Sequence, residues 1–198
     1  MSASDHSKPR LLIVPGLHDS GPVHWQSWLQ EQYRDAVRVV QRDWHTPDLD
    51  RWATRIGSTL ERAGAGPWIA VAHSFGCLAT VRHLHLQPDS PIAAVLFVAP
   101  AEPDKFGVAS LLPHARLPRP TTLVASDTDP WMSAASTRRW AARWGSHWTS
   151  LGDAGHINAE AGFGPLPLAR RWVVAMQQRL ERARRPERAL IHEWSFAI

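Results

Sequence analysis

One serine stands where a strand meets a helix. Apolar residues from Ile69 to Ala72 are followed by His73, Ser74, Phe75 and Gly76, and then by a helical pattern. The nucleophile-elbow motif is G-x-S-x-G in this setting, and here Ala72 takes the place of the first glycine. The residues two before and two after the serine must be small, because the strand turns sharply into the helix there. The pattern predicts that Ser74 is a nucleophile, although a tight turn with a hydrogen-bonded serine is the simpler alternative.

A base and an acid follow Ser74 in the order typical of hydrolytic triads built on parallel sheets. The segment Thr121–Ala125 has the pattern of a strand and precedes Asp127 and Asp129. His156 comes directly after Gly155, in the loop that follows a weaker strand pattern. Because the carboxyl ends of parallel strands share one edge of a sheet, these side chains are expected near the serine. We therefore predict His156 as the general base.

Two aspartates compete for the role of orienting His156. Asp129 precedes Pro130, whose fixed φ stiffens the loop, and a stiff loop suits a carboxylate that holds one histidine tautomer. Asp127 could instead cap the turn through its side chain. Asp153 lies close to His156 in sequence, and a turn-forming role is favoured for it. Asp129 is the predicted acid, and Asp127 remains the alternative.

The remaining candidates would bind the substrate. The oxyanion hole of such a site uses the N–H after the nucleophile and an N–H from the loop after the first strand. We assign these to the backbone N–H groups of Phe75 and Leu17. His24, Trp25 and Trp131 are candidate pocket residues, although Trp25 could equally belong to the core.

Alternating apolar strands and amphipathic helices indicate an α/β domain with a mostly parallel sheet of about six strands. The predicted strands are Arg10–Pro15, Val37–Gln41, Trp68–Ala72, Ala93–Ala99, Thr121–Ala125 and His147–Leu151. The predicted helices are Pro22–Tyr33, Leu49–Arg62, Phe75–Leu86, a short Lys105–Leu112, Ser133–Arg143 and Pro167–Arg185. The connection between Ala99 and Thr121 has room for one crossover, so no lid domain is expected.

The 198 residues fit one domain spanning 1–198, with 1–9 and 186–198 expected to be flexible or peripheral. The net charge of +4 comes mostly from arginine, and many arginines lie near the end of the chain: Arg179, Arg182, Arg184, Arg185 and Arg188. A solvated helix end is favoured over a nucleic-acid surface, because Glu181 and Glu187 interrupt the run.

Several functional classes are disfavoured by composition. No apolar run approaches the roughly 20 residues of a membrane span, and the polar N-terminus lacks the apolar core of a signal peptide. Cys77 is the only cysteine. We therefore expect a cytoplasmic protein without a membrane or nucleic-acid partner. No metal-binding motif is present, so neither a metal nor a cofactor is expected, and the oligomeric state stays open.

Four segments resemble one family of small serine hydrolases, which includes retinoblastoma-binding protein 9 and the bacterial YdeN-like proteins. The segments are VPGLHDSGPVHWQ at 14–26, AHSFGCLA at 72–79, SDTDPW at 126–131 and DAGH at 153–156. The resemblance covers nearly the whole chain. It implies an α/β-hydrolase fold without a lid and a triad of Ser74, Asp129 and His156, and alanine is usual there at the position of Ala72.

Together the residues and the resemblance lead to a functional hypothesis. We expect hydrolysis of a small carboxylic ester, thioester or amide through an acyl-enzyme, with a small acyl compound as the substrate. The alternative is a binding protein on the same fold that has the triad but little turnover.

Overall fold

The computed structural model describes residues 8–195, with side chains described as far as residue 183. Its six strands are β1 (Arg10–Val14), β2 (Val37–Arg38), β3 (Trp68–Ser74), β4 (Ile92–Pro100), β5 (Thr121–Ala125) and β6 (His147–Ser150). Its α-helices are α1 (Trp25–Glu31), α2 (Leu49–Ala63), α3 (Phe75–Leu86), α4 (Ala134–Trp144) and α5 (Pro167–Ser195).

The strands form one sheet in the order β2-β1-β3-β4-β5-β6. All five strand pairings of the described chain are parallel. This confirms the α/β class and the six-stranded sheet predicted from the sequence. Every strand therefore ends at the same edge, which we call the carboxyl edge, and the loops that carry the candidate residues leave the sheet there.

Alternate side chains of each strand point to opposite faces of the sheet. Because apolar side chains lie on both faces, helices cover both of them. Leu12, Val14, Ala70 and Phe97 face a core that also contains Trp52 and Ile56 of α2, Leu78 of α3 and Trp144 of α4. Leu11, Ile13, Ile69 and Val71 face a second core with Trp25 and Leu29 of α1 and Val173 of α5. Burial on both faces explains why the central strands have continuous apolar sequences.

Some predicted elements have different boundaries in the structure. β2 contains two residues instead of five; it lies at the edge of the sheet, and Val40 just beyond it is 57% exposed. α1 begins at Trp25, not at Pro22, because the side chain of His24 caps it by accepting from the Gln26 N–H. The predicted helix over Lys105–Leu112 is instead two 3₁₀ segments, Pro103–Phe106 and Ala109–Leu111.

The chain between β4 and β5 contains only those two short 3₁₀ segments. Gly107 separates them with a φ of 65°, a left-handed conformation that glycine adopts without strain. The expectation that this connection holds a single crossover without a lid is therefore met, and the carboxyl edge above Ser74 is not roofed by a separate subdomain.

Parts of the two chain ends lie outside the described residues. This is the case for 1–7 and 196–198, and for the side chains of Arg184, Arg185 and Arg188, whereas Arg179 and Arg182 are exposed. Pro9 does not fit the expectation of a peripheral end, because it is buried and its carbonyl accepts from Gln177 Nε2 at 2.8 Å. α5 also continues beyond its predicted end at Arg185 to Ser195. Within the described chain, no helix combines the length and the apolar character needed to cross a membrane.

The close packing of α3 on β1 makes a prediction about two glycines. A Cβ on Gly76 would lie 2.3 Å from the Pro15 carbonyl oxygen, whereas a Cβ on Gly57, inside α2, has its nearest neighbour at 3.5 Å. We expect Gly76→Ala to lower the free energy of unfolding by more than about 1 kcal/mol through overpacking. Gly57→Ala should raise it by roughly 0.5–1 kcal/mol, because alanine favours the helix. Urea denaturation of both variants tests this, and equal stabilities would contradict the packing shown here.

Candidate active site

Ser74 occupies a strained turn at the junction of β3 and α3. Its backbone has a φ of 53° and a ψ of −126°, and the helix begins at the next residue. A non-glycine residue in such a conformation costs roughly 1–3 kcal/mol, and it persists only where the surrounding structure enforces it. Gly76 provides that enforcement, since it allows the helix to approach the carbonyls of Val14 and Pro15. The result is a serine hydroxyl that projects from the carboxyl edge.

His156 and Asp129 complete a hydrogen-bonded series with Ser74. The Ser74 Oγ lies 2.9 Å from His156 Nε2, and His156 Nδ1 lies 2.9 and 3.0 Å from the two carboxylate oxygens of Asp129. The imidazole and the carboxylate are both nearly buried, with side chains 8% and 2% exposed. Because a carboxylate only accepts, Nδ1 carries the proton and Nε2 is free to accept from the serine hydroxyl. The structure thus brings together the three residues singled out from the sequence.

The two competing aspartates have different partners. The Asp129 carboxylate also accepts from the Trp131 backbone N–H at 2.9 Å, a contact that fixes its orientation towards His156. Asp127 is exposed and accepts from Ser150 Oγ at 2.8 Å instead. Asp153 likewise accepts from Thr128 Oγ1, at 2.7 Å, and forms no hydrogen bond with the imidazole. The geometry therefore favours Asp129 as the orienting carboxylate.

The loops that carry Asp129 and His156 are joined to each other. Ser126, just after β5, donates to the Gly152 carbonyl and accepts from the Ala154 N–H at 3.1 Å. Thr128 accepts from the Gly155 N–H at 3.1 Å. These bonds hold the acid and the base at a fixed distance. Sequence reasoning did not single out Ser126 or Thr128, although both lie in the same short segment as the two aspartates.

The predicted oxyanion donors lie beside the serine. Phe75 is the first residue of α3, so its N–H has no helical acceptor four residues earlier. The Leu17 N–H forms no hydrogen bond within residues 8–183. Leu17 follows Gly16, at which a Cβ would lie 2.7 Å from Ser74 Cβ and 3.4 Å from Ser74 Oγ. Two unpaired donors thus flank the hydroxyl, as an oxyanion hole requires.

Of the three predicted pocket residues, one is exposed beside the site and two are buried. Trp131 is 44% exposed, with its ring 6.1 Å from that of His156. Trp25 has no exposed surface: it belongs to the core between the sheet, α1 and α5, and its Nε1 donates to the Ile157 carbonyl at 2.9 Å. Its assignment to the pocket was wrong, and the alternative of a core residue applies. His24 is also nearly buried, at 5% exposure, because its side chain caps α1.

The exposed wall of the site includes two residues that sequence reasoning missed. Phe106 stacks on Trp131 with ring centroids 6.3 Å apart, and its ring also meets that of Phe75 at 5.1 Å. Lys105 donates to the Pro130 carbonyl at 2.7 Å, and its ammonium lies 5.7 Å from the Trp131 ring centre. Their position in the first segment that leaves β4 at the carboxyl edge was the available signal.

A chain of histidines lies beneath the site. The rings of His24 and His73 are 4.9 Å apart, and those of His73 and His156 are 4.8 Å apart. Burial lowers the pKa of His24 to about 4, with a further contribution from the positive charge of Arg38. Burial also holds the pKa of His73 well below the ordinary value, assisted by the neighbouring His156. Both side chains are therefore neutral near pH 7.

Neither the cysteine nor the cavities of the described chain offer an alternative to the site at Ser74. Burial raises the pKa of the Cys77 thiol, which contacts the Val98 carbonyl inside the core, so this cysteine does not compete with Ser74 as a nucleophile. Ser74, Asp129 and His156 line none of five cavities of about 320–580 Å³ found elsewhere among residues 8–183. These five cavities are therefore separate from the candidate site.

Comparison with known proteins identifies relatives of this chain. The model of the family described as Serine hydrolase matches residues 11–175. A YdeN-like hydrolase from Pectobacterium atrosepticum is 38% identical, with a TM-score of 0.82 over 89% of this chain and 95% of the other. A search of curated proteins gives no match.

More distant structures share the fold. The ydeN gene product of B. subtilis is 19% identical, with a TM-score of 0.70 over 84% of this chain and 97% of its own. Est1E from Butyrivibrio proteoclasticus, solved with ferulic acid bound, is 13% identical, with a TM-score of 0.62 over 96% and 93% of the two chains. The α/β-hydrolase architecture predicted from the sequence is confirmed by these structural matches.

Proposed function

The chain belongs to the serine hydrolase family, and from this premise we propose that it cleaves small carboxylic esters through an acyl-enzyme formed on Ser74. The observation that carries the proposal is the pair of short contacts from His156, one to the Ser74 hydroxyl and one to the Asp129 carboxylate. Such a geometry makes the hydroxyl a nucleophile, because the imidazole can accept its proton while the carboxylate stabilises the imidazolium.

The reaction follows from the placement of these groups. Ser74 Oγ attacks the carbonyl carbon of the ester, and His156 Nε2 takes the hydroxyl proton. The Leu17 and Phe75 N–H groups stabilise the negative oxygen of the tetrahedral intermediate. His156 then gives the proton to the leaving alcohol as the carbon–oxygen bond breaks. A water molecule, deprotonated by the same imidazole, then attacks the acyl carbon; the bond from this carbon to Ser74 Oγ breaks, Oγ takes the proton back from His156, and the carboxylic acid leaves.

Two observations favour esters with small acyl groups. The connection between β4 and β5 holds no lid that could enclose a long chain. The exposed side chain beside His156 is the rigid Trp131 ring, supported by Phe106. Thioesters and amides undergo the same chemistry and stay open as substrates. Est1E, with ferulic acid bound, and an esterase from Rhodococcus share the fold at low identity, which is consistent with ester cleavage.

The competing candidate is a binding protein that retains the three residues but turns over little substrate. Reaction with a fluorophosphonate distinguishes the two, because only an activated serine is phosphonylated at an appreciable rate. We expect the wild-type protein to be labelled at Ser74, and a protein that is not labelled at all would support the binding alternative.

The first activity prediction concerns the nucleophile itself. Ser74→Ala should abolish hydrolysis of p-nitrophenyl acetate and fluorophosphonate labelling while leaving the circular dichroism spectrum unchanged, because this hydroxyl lies at the edge of the fold. Ser133→Ala is the matched control, since that serine only caps α4. Esterase activity that survives in Ser74→Ala would contradict the assignment.

The second activity prediction separates the two aspartates. Asp129→Asn should lower kcat by about ten-thousandfold if it behaves as in serine proteases, because the asparagine no longer holds the required histidine tautomer. Asp127→Asn removes an exposed acceptor of Ser150 and should cost far less. Steady-state kinetics on one ester provide the comparison. A reversed order of the two effects would identify Asp127 as the orienting acid.

The third activity prediction concerns substrate size. Acetyl to butyryl esters should be cleaved with a higher kcat/KM than long-chain esters, because an open edge with a short aromatic wall offers no enclosure for a long chain. No lag or activation at a lipid interface is expected, since there is no lid to open. A series of p-nitrophenyl esters tests this. A kcat/KM that climbs steadily to palmitoyl esters would show a long apolar groove instead.

A further inference from the structure

We propose that Trp25 and His73 are positioning residues that clamp the backbone of the catalytic-histidine loop, and the proposal rests on the function proposed above. Trp25 Nε1–H donates to the Ile157 carbonyl at 2.9 Å. His73 Nε2 lies 3.0 Å from the His156 carbonyl. Two successive carbonyls, beginning with that of the base itself, are therefore held by side chains from two different elements. Neither Trp25 nor His73 takes part in the hydrogen bonds that join Ser74, His156 and Asp129.

The held segment is strained, which is why it needs external contacts. Ile157 has a φ of 46°, and Gly155 on the other side of the base has a φ of 52°. A left-handed φ is readily adopted by glycine but is a genuine outlier for a β-branched isoleucine. Such strain persists only where neighbouring groups over-determine it. Without the two donors, the loop would relax towards an ordinary φ at Ile157, and the imidazole would move away from Ser74 Oγ.

Burial makes the two contacts strong constraints. Trp25 and Ile157 have no exposed surface, and His73 is 5% exposed. A buried carbonyl that loses its donor has no water to replace it, and this costs roughly 1–3 kcal/mol. The clamp is therefore difficult to open in the folded protein.

The chemical state of His73 fits a clamp rather than a second base. A carbonyl oxygen only accepts, so Nε2 must carry the proton of this imidazole. The pKa of His73, held low by burial and by His156, keeps the ring neutral. When His156 becomes an imidazolium during turnover, with its ring 4.8 Å away, it therefore meets a neutral donor and not a second positive charge.

His24 completes the arrangement from the other side. Its Nδ1 accepts from the Gln26 N–H and so fixes the start of α1, the helix that carries Trp25. Its ring also packs edge-on against His73, with centroids 4.9 Å apart. The His24-Trp25 pair of the sequence thus lies under the base, where it orders the clamp instead of contacting substrate.

Four variants separate positioning from general packing. Trp25→Phe keeps an aromatic ring but removes the donor. The matched control is Trp28→Phe on the same helix, since the Trp28 ring packs against the same core and its indole N–H donates no hydrogen bond within residues 8–183. His73→Leu removes the other donor, whereas His73→Gln keeps an amide N–H near the position of Nε2. All four are first checked for folding by urea denaturation.

We expect Trp25→Phe and His73→Leu to lower kcat by roughly 10–100-fold with little change in KM, because a displacement of about 1 Å at the reacting atoms has that effect. Trp28→Phe should keep the wild-type kcat, and His73→Gln should recover most of what His73→Leu loses. A kcat in Trp25→Phe no lower than in Trp28→Phe, or equal losses in both His73 variants, would overturn the proposal.

A second readout does not depend on turnover. The Nδ1–H proton of His156, bonded to Asp129, gives a resolvable downfield resonance in proton NMR when the imidazole is held in place. The clamp predicts that this resonance weakens or shifts in Trp25→Phe and His73→Leu and persists in Trp28→Phe. If the wild-type protein cleaves no ester, the proposed function fails but the resonance still tests the clamp. An unchanged resonance in all variants would overturn the clamp even in an active enzyme.

Discussion

The left-handed backbone of Ser74 is the constraint on which the rest of the site depends. A side chain can project from the end of a buried strand only if the chain turns within one residue, and that turn puts Ser74 at a φ of 53°. The turn leaves no room for a Cβ on Gly16 or Gly76, since each would lie within 3 Å of neighbouring atoms. The two glycines and the small Ala72 therefore belong to the same requirement, although Gly16 follows β1, Ala72 lies in β3 and Gly76 lies in α3.

Other strained residues gather at the same edge. His18, Ala99 and Ile157 also have positive φ values, and each lies in or beside a loop at the carboxyl ends of the strands. The two cores hold the strands rigid below this edge, with buried residues on both faces of the sheet. The strained backbone at the carboxyl edge is thus held in place by the packed cores below it. Such a distribution is common in sites whose groups are preorganised before a ligand binds.

Much of this arrangement could be predicted from the sequence, because it depends on local patterns. The strand containing Val71 and the helix starting at Phe75 follow from apolar runs and spacing, and parallel strands bring Asp129 and His156 to one edge. Whether those residues act in catalysis stays a prediction.

What could not be predicted depends on contacts between distant segments. A pocket tryptophan and a core tryptophan look alike in sequence, and Trp25 is fixed as the latter by a bond to Ile157, 132 residues away. Likewise β2 is shorter than its apolar run because the sheet ends there.

The open carboxyl edge gives this domain room to diverge. Gly107 is exposed and no atom beyond its chain neighbours lies within 4 Å of where its Cβ would be, so extra residues inserted there would extend into solvent next to Phe106, whose ring contacts that of Phe75. In evolutionary terms, a descendant could acquire a cap, and with it a new substrate range, without altering the strands that hold its three polar residues.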